Sequence, residues 1–306
     1  MRFAFLLIFM SGVAFGAEKE FLGSNGPEYK TKSYAVPFST GLFSGPRPQK
    51  FVPFVQAKFY EGELPKAFDW REKGITPIRD QGNCGSCWAF SGTATIADAL
   101  ALRGITGYEN LSEQFRVAHD KTGGNSGCSG GWMHLTHPQQ NGSMLETDCP
   151  YTASNRSCSK TTPTAYKLEK WDYVQGEDGV PPTEVLKRAL YTYGPLSVGV
   201  SATGDFMSYD SGIYNGNTSG GINHAVNIVG WNDEGQYWIM RNSWGTSWGE
   251  NGFMRIRYGA KQLGYGAVWA SPDGKDLLPV PPPPPGPEPT PPGPTPTPVN
   301  IPWAWI

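Results

Sequence analysis

Neither sign of charge dominates this chain: 25 Lys and Arg stand against 27 Asp and Glu, for a formal net charge of −2. That balance gives nucleic-acid phosphates and anionic membrane surfaces no electrostatic grip. Charged side chains are scarce, at 17% of the residues, which suits a loop-rich exported protein better than a helical cytosolic one. Long apolar runs are scarce as well. The run from Phe3 to Met10, behind Arg2, is too short to span a bilayer. With small residues at Ala14 and Gly16 it is predicted to be a signal peptide, residues 1–16. Histidine is limited to four positions and cysteine to five. An odd cysteine count in an exported chain predicts disulfides with one thiol left over.

What the chain has in quantity is glycine, proline and aromatic residues, with 39 Gly and 28 Pro. Much of the proline lies beyond Ser271. Residues 272–306 are predicted to be a polyproline II tail that cannot join a packed core. Its apolar tip, Ile301-Pro-Trp-Ala-Trp-Ile306, reads either as a solvated end or as a recognition tip for an unidentified partner. Residues 17–63 carry scattered Pro and Gly and one apolar stretch, Phe51-Val-Pro-Phe-Val55. An organised pattern then starts at Leu64, so 17–63 reads as a short propeptide or a poorly ordered leader.

Cys84 and Cys87 lie in a glycine-rich turn, Gln81-Gly-Asn-Cys-Gly-Ser-Cys-Trp88. The turn runs into a helical pattern with Phe90, Ala94, Ala97 and Ala101 on one face, ending before Gly104. Cys87 falls in the first turn of that helix, where the dipole and free N–H groups favour a thiolate. A second short helix is expected after Leu111, capped by Asn110 or Ser112. The glycine-rich loop 123–131 follows. The second half reads as a helix, Thr183 to Tyr193, stopped by Gly194-Pro195. Strands follow at Leu196 to Val200, Ala225 to Trp231, Gln236 to Arg241 and Gly252 to Tyr258. Helices first and strands later predict an α+β fold in two lobes, with a site between them.

A cysteine nucleophile needs a base, and the base needs an orienting group. His119, His134 and His137 lie in polar, loop-prone sequence, and Pro138 is expected to interrupt any helix there. His134 and His137 are solvated loop histidines on this reading, and no metal site is assigned. His224 stands at the start of an apolar strand and is the candidate base. On position alone the reading as a structural histidine is somewhat the stronger.

Several segments together settle the matter by resemblance. Gln81-Gly-Asn-Cys-Gly-Ser-Cys-Trp88 is similar to the nucleophile segment of papain-like, cathepsin-type cysteine proteases. Asp69-Trp-Arg71 resembles that family's mature start, and Leu111-Ser-Glu-Gln114 its second helix. Gly127-Cys-Ser-Gly-Gly131 resembles its glycine ledge, and Asn223-His-Ala-Val226 its histidine strand. Arg241-Asn-Ser-Trp-Gly-Thr-Ser-Trp-Gly-Glu-Asn-Gly-Phe253 resembles its asparagine segment. These occur in family order across residues 64–271.

The resemblance implies a two-lobed α+β fold, with a helical first lobe and a β-barrel-like second lobe flanking an active-site cleft. It implies a cysteine endopeptidase without cofactor or metal, acting on protein or peptide substrates as a monomer and open to protein inhibitors. Cys87 would be the nucleophile and His224 its imidazolium partner. Asn242 would orient the ring, Trp244 would shield the pair, and Gln81 would complete the oxyanion hole. Gly130 and Gly131 would bind substrate backbone. Trp132, Met133, Gly199, Ile222, Ala225 and Ala270 would line an apolar pocket for the residue two positions before the scissile bond, with Asn223 beside it. The resemblance pairs Cys84 with Cys128.

The chain also departs from the family. His119 stands where a second bridge cysteine belongs, so Cys158 is expected to pair with the extra Cys149 in a local loop. The leader is shorter than family propeptides and lacks their helical pattern; Phe51 to Val55 is expected to lie extended in the cleft. No insertion between Gly131 and Tyr151 is long enough for an exopeptidase lid. Three rivals remain: a redox protein built on Cys84-Gly-Ser-Cys87, a zinc site from Cys84, Cys87 and Cys128, and an inactive pseudo-protease. Export leads to a secreted, lysosomal or vacuolar protein, or a periplasmic one in a bacterium.

Overall fold

The computed structural model describes residues 29–35, 38–43, 57–217 and 220–275. The signal-like segment, Phe51 to Val55 and the proline tail past 275 lie outside the described residues. The fold is α+β. The strands, in chain order, are β1 (Tyr29–Thr31), β2 (Ala67–Asp69), β3 (Lys170–Tyr173), β4 (Leu196–Val200), β5 (Tyr209–Tyr214), β6 (His224–Asn232), β7 (Tyr237–Arg241), β8 (Phe253–Arg257) and β9 (Tyr265–Ser271). They form one sheet in the order β1-β5-β8-β7-β6-β4-β9-β3, with β2 also paired to β6. All pairings are antiparallel except β5 with β8.

The helices that concern the site are α1 (Cys87–Ala101), α2 (Glu113–His119), α3 (Thr136–Asn141) and α4 (Thr183–Tyr193). α1 is buried, as its apolar pattern leads one to expect, but not through a single face. Every residue of α1 except Ala94 and Ala101 is buried, because β6, β4, β9 and α2 all pack against it. A helix enclosed this way needs small residues all round, and α1 supplies Ala, Gly, Ser and Thr on nearly every side.

α2 starts where Ser112 accepts from Phe115 N at 3.0 Å, so Ser112 is the cap rather than Asn110. α3 corrects an expectation, since it contains Pro138. The proline sits in the first turn, where a missing N–H costs no intrahelical bond. α4 ends at Gly194, which adopts φ 98°.

Six tryptophans among the described residues, Trp70, Trp88, Trp231, Trp238, Trp248 and Trp269, are essentially inaccessible, at 0 or 1% exposure. All but Trp88 lie in one packed cluster with the sheet, and Trp88 lies in a second around α1. Burial of large aromatic surface is the main stabilising term in such a core. Charged pairs are enclosed as well, and one of them bears on the site. Arg241, at the end of β7, donates to Asp98 on α1 at 2.5 Å, and both side chains are at most 3% exposed. Thr76 adds bonds from its N and Oγ1 to Asp98 Oδ1, at 2.7 and 2.6 Å. The result is a strut tying α1 to the strand that carries Asn242.

Candidate active site

Cys87 is the first residue of α1 and is fully buried. It is the free cysteine of the chain. Cys84 is bonded to Cys128, and Cys149 to Cys158. The first pairing takes Cys84 and Cys128 out of both the dithiol and the zinc reading. Among the described residues no three His, Cys, Asp or Glu side chains converge as metal ligands do. The second bridge lies in a small cluster with Phe115 and Met144 beneath α2.

β6 begins with His224, whose ring lies stacked on Trp244 at 4.5 Å. Its Nε2 is hydrogen-bonded to Asn242 Oδ1 at 2.8 Å, which fixes Nε2 as the protonated nitrogen and leaves Nδ1 basic. The same Oδ1 accepts from Ser243 N at 2.8 Å. Asn242 directly follows β7, so the sheet pairing of β6 with β7 brings the imidazole and the amide together.

Gln81 is fully buried and held from three sides. Its N donates to Ser243 O at 2.9 Å, and its Oε1 accepts from Ser243 Oγ at 2.7 Å. Tyr151 donates its hydroxyl to Gln81 O at 2.8 Å and is also hydrogen-bonded to Ser86 at 2.7 Å. The Nε2 end points the other way, donating to Cys84 O at 2.9 Å and to Ser39 O at 3.0 Å. Ser243 and Tyr151 were not singled out in the sequence. Their roles are visible only once distant segments meet, although Ser243 does sit inside the asparagine segment.

Ser39 belongs to the leader, and a leader strand fills this cleft. Phe38 stacks on Trp244 with centroids 4.7 Å apart. Ser39 O accepts from Trp244 Nε1 at 2.9 Å. Gly41 and Leu42 each donate to Asn223 O, at 3.1 and 3.0 Å. Gly131 N donates to Gly41 O at 2.9 Å, and Phe43 N donates to Gly131 O at 3.0 Å, a parallel bridge centred on Leu42. Among the described residues, the segment in the cleft is Phe38 to Phe43; the expectation for Phe51 to Val55 lies outside them.

Close approach explains two glycines. A Cβ on Gly41 would fall 2.0 Å from Gly85 O, and one on Gly130 would fall 2.5 Å from the Phe43 ring. Upstream, β1 pairs with β5, Lys32 bridges Asp210 at 2.8 Å, and Tyr34 donates to Tyr209 O at 2.6 Å.

Leu42 is 7% exposed and packs in one cluster with Met133, Ile222, Ala225 and Ala270. Trp132 stands at the rim, edge-on to Phe43 at 5.9 Å. On β9 the residues beside this pocket are Tyr265, paired with Gly199, and Gly266, whose Cβ would lie 3.3 Å from Met133 Cε. Ala270 instead pairs with Trp171 further along the strand. Asn223 turns its amide to the backbone of Ala202, donating at 3.0 Å and accepting at 2.8 Å.

With the leader strand laid across it, burial works against the charged forms of the pair. Burial pushes the Cys87 thiol up to about 12, against the pull of backbone groups at Ala225, Trp88 and Gly41. Burial likewise holds the His224 imidazole down to about 4, opposed by its bond to Asn242. Desolvation opposes the helix N-terminus here.

The remaining histidines take no part. His134 and His137 are buried rather than solvated. His137 lies on α3 against Phe115, which also meets His119.

Comparison with known proteins points in one direction. The family profile described as papain family cysteine protease matches residues 64–269. A senescence-specific cysteine protease of Arabidopsis thaliana is 37% identical over 222 residues, covering 69% of this chain and 62% of that protein. A cysteine proteinase of Brassica napus is 41% identical over 204 residues, covering 63% and 60%. The chain therefore spans about three-fifths of the length of these curated relatives. Among solved structures, digestive procathepsin L 3 from Tenebrio molitor larval midgut superposes with a TM-score of 0.63 at 32% identity, covering 74% of this chain and 75% of that one. A cysteine protease of Carica candamarcensis in complex with E-64 gives 0.58 at 32% identity, covering 68% and 99%.

Proposed function

The chain belongs to the papain family of cysteine proteases, and from that premise we propose that it is a cysteine endopeptidase made as a self-covered precursor. Cys87 attacks the scissile carbonyl, and His224 Nδ1 takes the thiol proton and later delivers it to the leaving amine. Asn242 holds the ring, Trp244 shields the pair, and Gln81 Nε2 donates to the developing oxyanion. Water, activated by His224, then releases the acyl group. The observation that carries this reading is the convergence of Gln81, Cys87 and the His224–Asn242 pair on one strip of extended backbone, the strand Phe38 to Phe43.

Leu42 supports a preference for a leucine-like residue two positions before the scissile bond, since the walls around it are apolar and uncharged. In a substrate, the scissile carbonyl lies C-terminal to that residue. In the leader, the carbonyl reaching Gln81 is that of Ser39, which lies N-terminal to Leu42. The leader therefore runs against the direction of a cleavable chain, which is how it covers the site without being cut there. Processing near Leu64 would yield a mature domain of about residues 64–271, preceded by a signal peptide and propeptide and followed by the proline tail. Disulfides fit an exported, secreted or lysosomal or vacuolar setting.

The direct test is turnover of a peptide library by the processed chain. Expected are internal cleavages after sequences with Leu or a similar apolar residue at that second position. Release of dipeptides from the ends, or a preference for a charged residue there, would defeat this assignment. A synthetic peptide of residues 29–43 should inhibit the processed enzyme without being consumed.

A further inference from the structure

Behind Asn242, between α1 and the β6–β7 pair, lies a cavity of about 30 Å³. A buried water needs roughly 10–15 Å³ of such space and two or more polar partners. The walls include Thr93 and Ser91 from α1, Asn227 from β6, and Arg241, Asn242 and Ser243. Two groups on these walls are buried without a hydrogen-bond partner, Thr93 Oγ1 and Asn242 Nδ2. Each belongs to a residue only 4% exposed. Native proteins rarely leave such atoms unpaired.

The other polar walls, apart from the Glu113 carboxyl, are committed elsewhere. Ser91 Oγ bonds Ser197 and Val226 O, Asn227 Nδ2 bonds Ser91 O and Thr95, Arg241 bonds Asp98, and Ser243 Oγ bonds Gln81.

Asn242 has a choice to make. Its oxygen serves His224 Nε2 and Ser243 N. The two ends of a carboxamide are nearly equal in shape, so a flipped amide would present N–H to the imidazole and move the ring proton to the wrong nitrogen. Ser243 N–H opposes that flip on the oxygen side, and an acceptor on the Nδ2 side opposes it on the other.

We propose that Thr93 is a positioning residue for the reaction: its hydroxyl and one water molecule in this cavity form the acceptor that holds the Asn242 amide, and through it the His224 tautomer. The water accepts from Nδ2 and donates to Thr93 Oγ1. α1 thus carries the nucleophile at its first residue and the support for the base further along, on one rigid body.

This rests on the protease reading, and the test separates the two. Wild type, Thr93→Val and Thr93→Ser are purified as full chains, processed alike and compared. Thr93→Val, which keeps the shape and removes the hydroxyl, should lower kcat about fivefold, the worth of one net hydrogen bond, with KM unchanged. Thr93→Ser should restore kcat. A high-resolution crystal structure of the full wild-type chain should show a water bridging Thr93 Oγ1 and Asn242 Nδ2. Undiminished kcat in Thr93→Val, no rescue by Ser, or a dry cavity each overturns the proposal. A wild type unable to cleave any peptide would instead overturn the protease reading.

Discussion

Two pieces of backbone cross at Gly41 and Gly85, and they are held by different forces. The catalytic side is fixed from within. Arg241 and Asp98 are buried together, Gln81 is bonded at both ends of its side chain, and Asn242 is clamped by Ser243 and His224. The leader side is held from without, by backbone bonds to Gly131 and Asn223, one stacked ring and a half-exposed Lys32–Asp210 pair. Removing any part of the first leaves a buried group unsatisfied, whereas removing the second returns its groups to water. The first is built to stay and the second to leave.

The sharpest way to break this comparison is at the thiol. Cys87→Ser should reduce kcat/KM of the processed chain by about 10⁶, as deletion of a nucleophile acting as part of a unit does, while leaving the leader seated in the unprocessed chain. Next comes the strut. Asp98→Ala strands Arg241 in the core and should lower the unfolding free energy by about 3–5 kcal/mol, read by urea denaturation.

Glu113 tests the same interior by pH. Burial holds its carboxyl up at about 7 against an ordinary 4.5. The folded chain therefore keeps a proton that the unfolded chain has released across that window. Stability from this group is greatest below 4.5 and falls as pH rises to 7, by about 3 kcal/mol. Glu113→Gln should flatten that fall in denaturation curves taken from pH 4.5 to 7.5. The smallest effect lies on the leader side. Gly41→Ala drives a methyl into Gly85 O, and overpacking of this kind should release the strand enough to raise activity of the unprocessed chain about ten- to hundredfold, measured with a small peptide substrate.

The catalytic side was largely legible in the sequence because its chemistry demands particular residues in order. Gln81, Cys87, His224 and Asn242 stand in recognisable segments, and α4 and β4 have end signals that match their observed bounds. The leader was not legible. Phe38 to Phe43 has no periodicity, and backbone bonding of the kind it makes leaves little trace in side-chain pattern. Thr93, Ser243 and Tyr151 were missed for a related reason: each acts through a contact with a residue far along the chain. Gly266 was not named beside Ala270 because the register of β9 is set by pairing with β4 and β3, which no local signal reveals. Pro138 misled because its position within the helix, not its presence, decides its effect.

The most direct measurement is labelling by an epoxide cysteine-protease inhibitor, read by intact mass and peptide mapping before and after removal of the leader. The processed chain should take up one equivalent at Cys87, and the unprocessed chain, with a buried thiol, far less in the same time. Failure of the processed chain to react, or modification at a cysteine other than Cys87, would contradict the account.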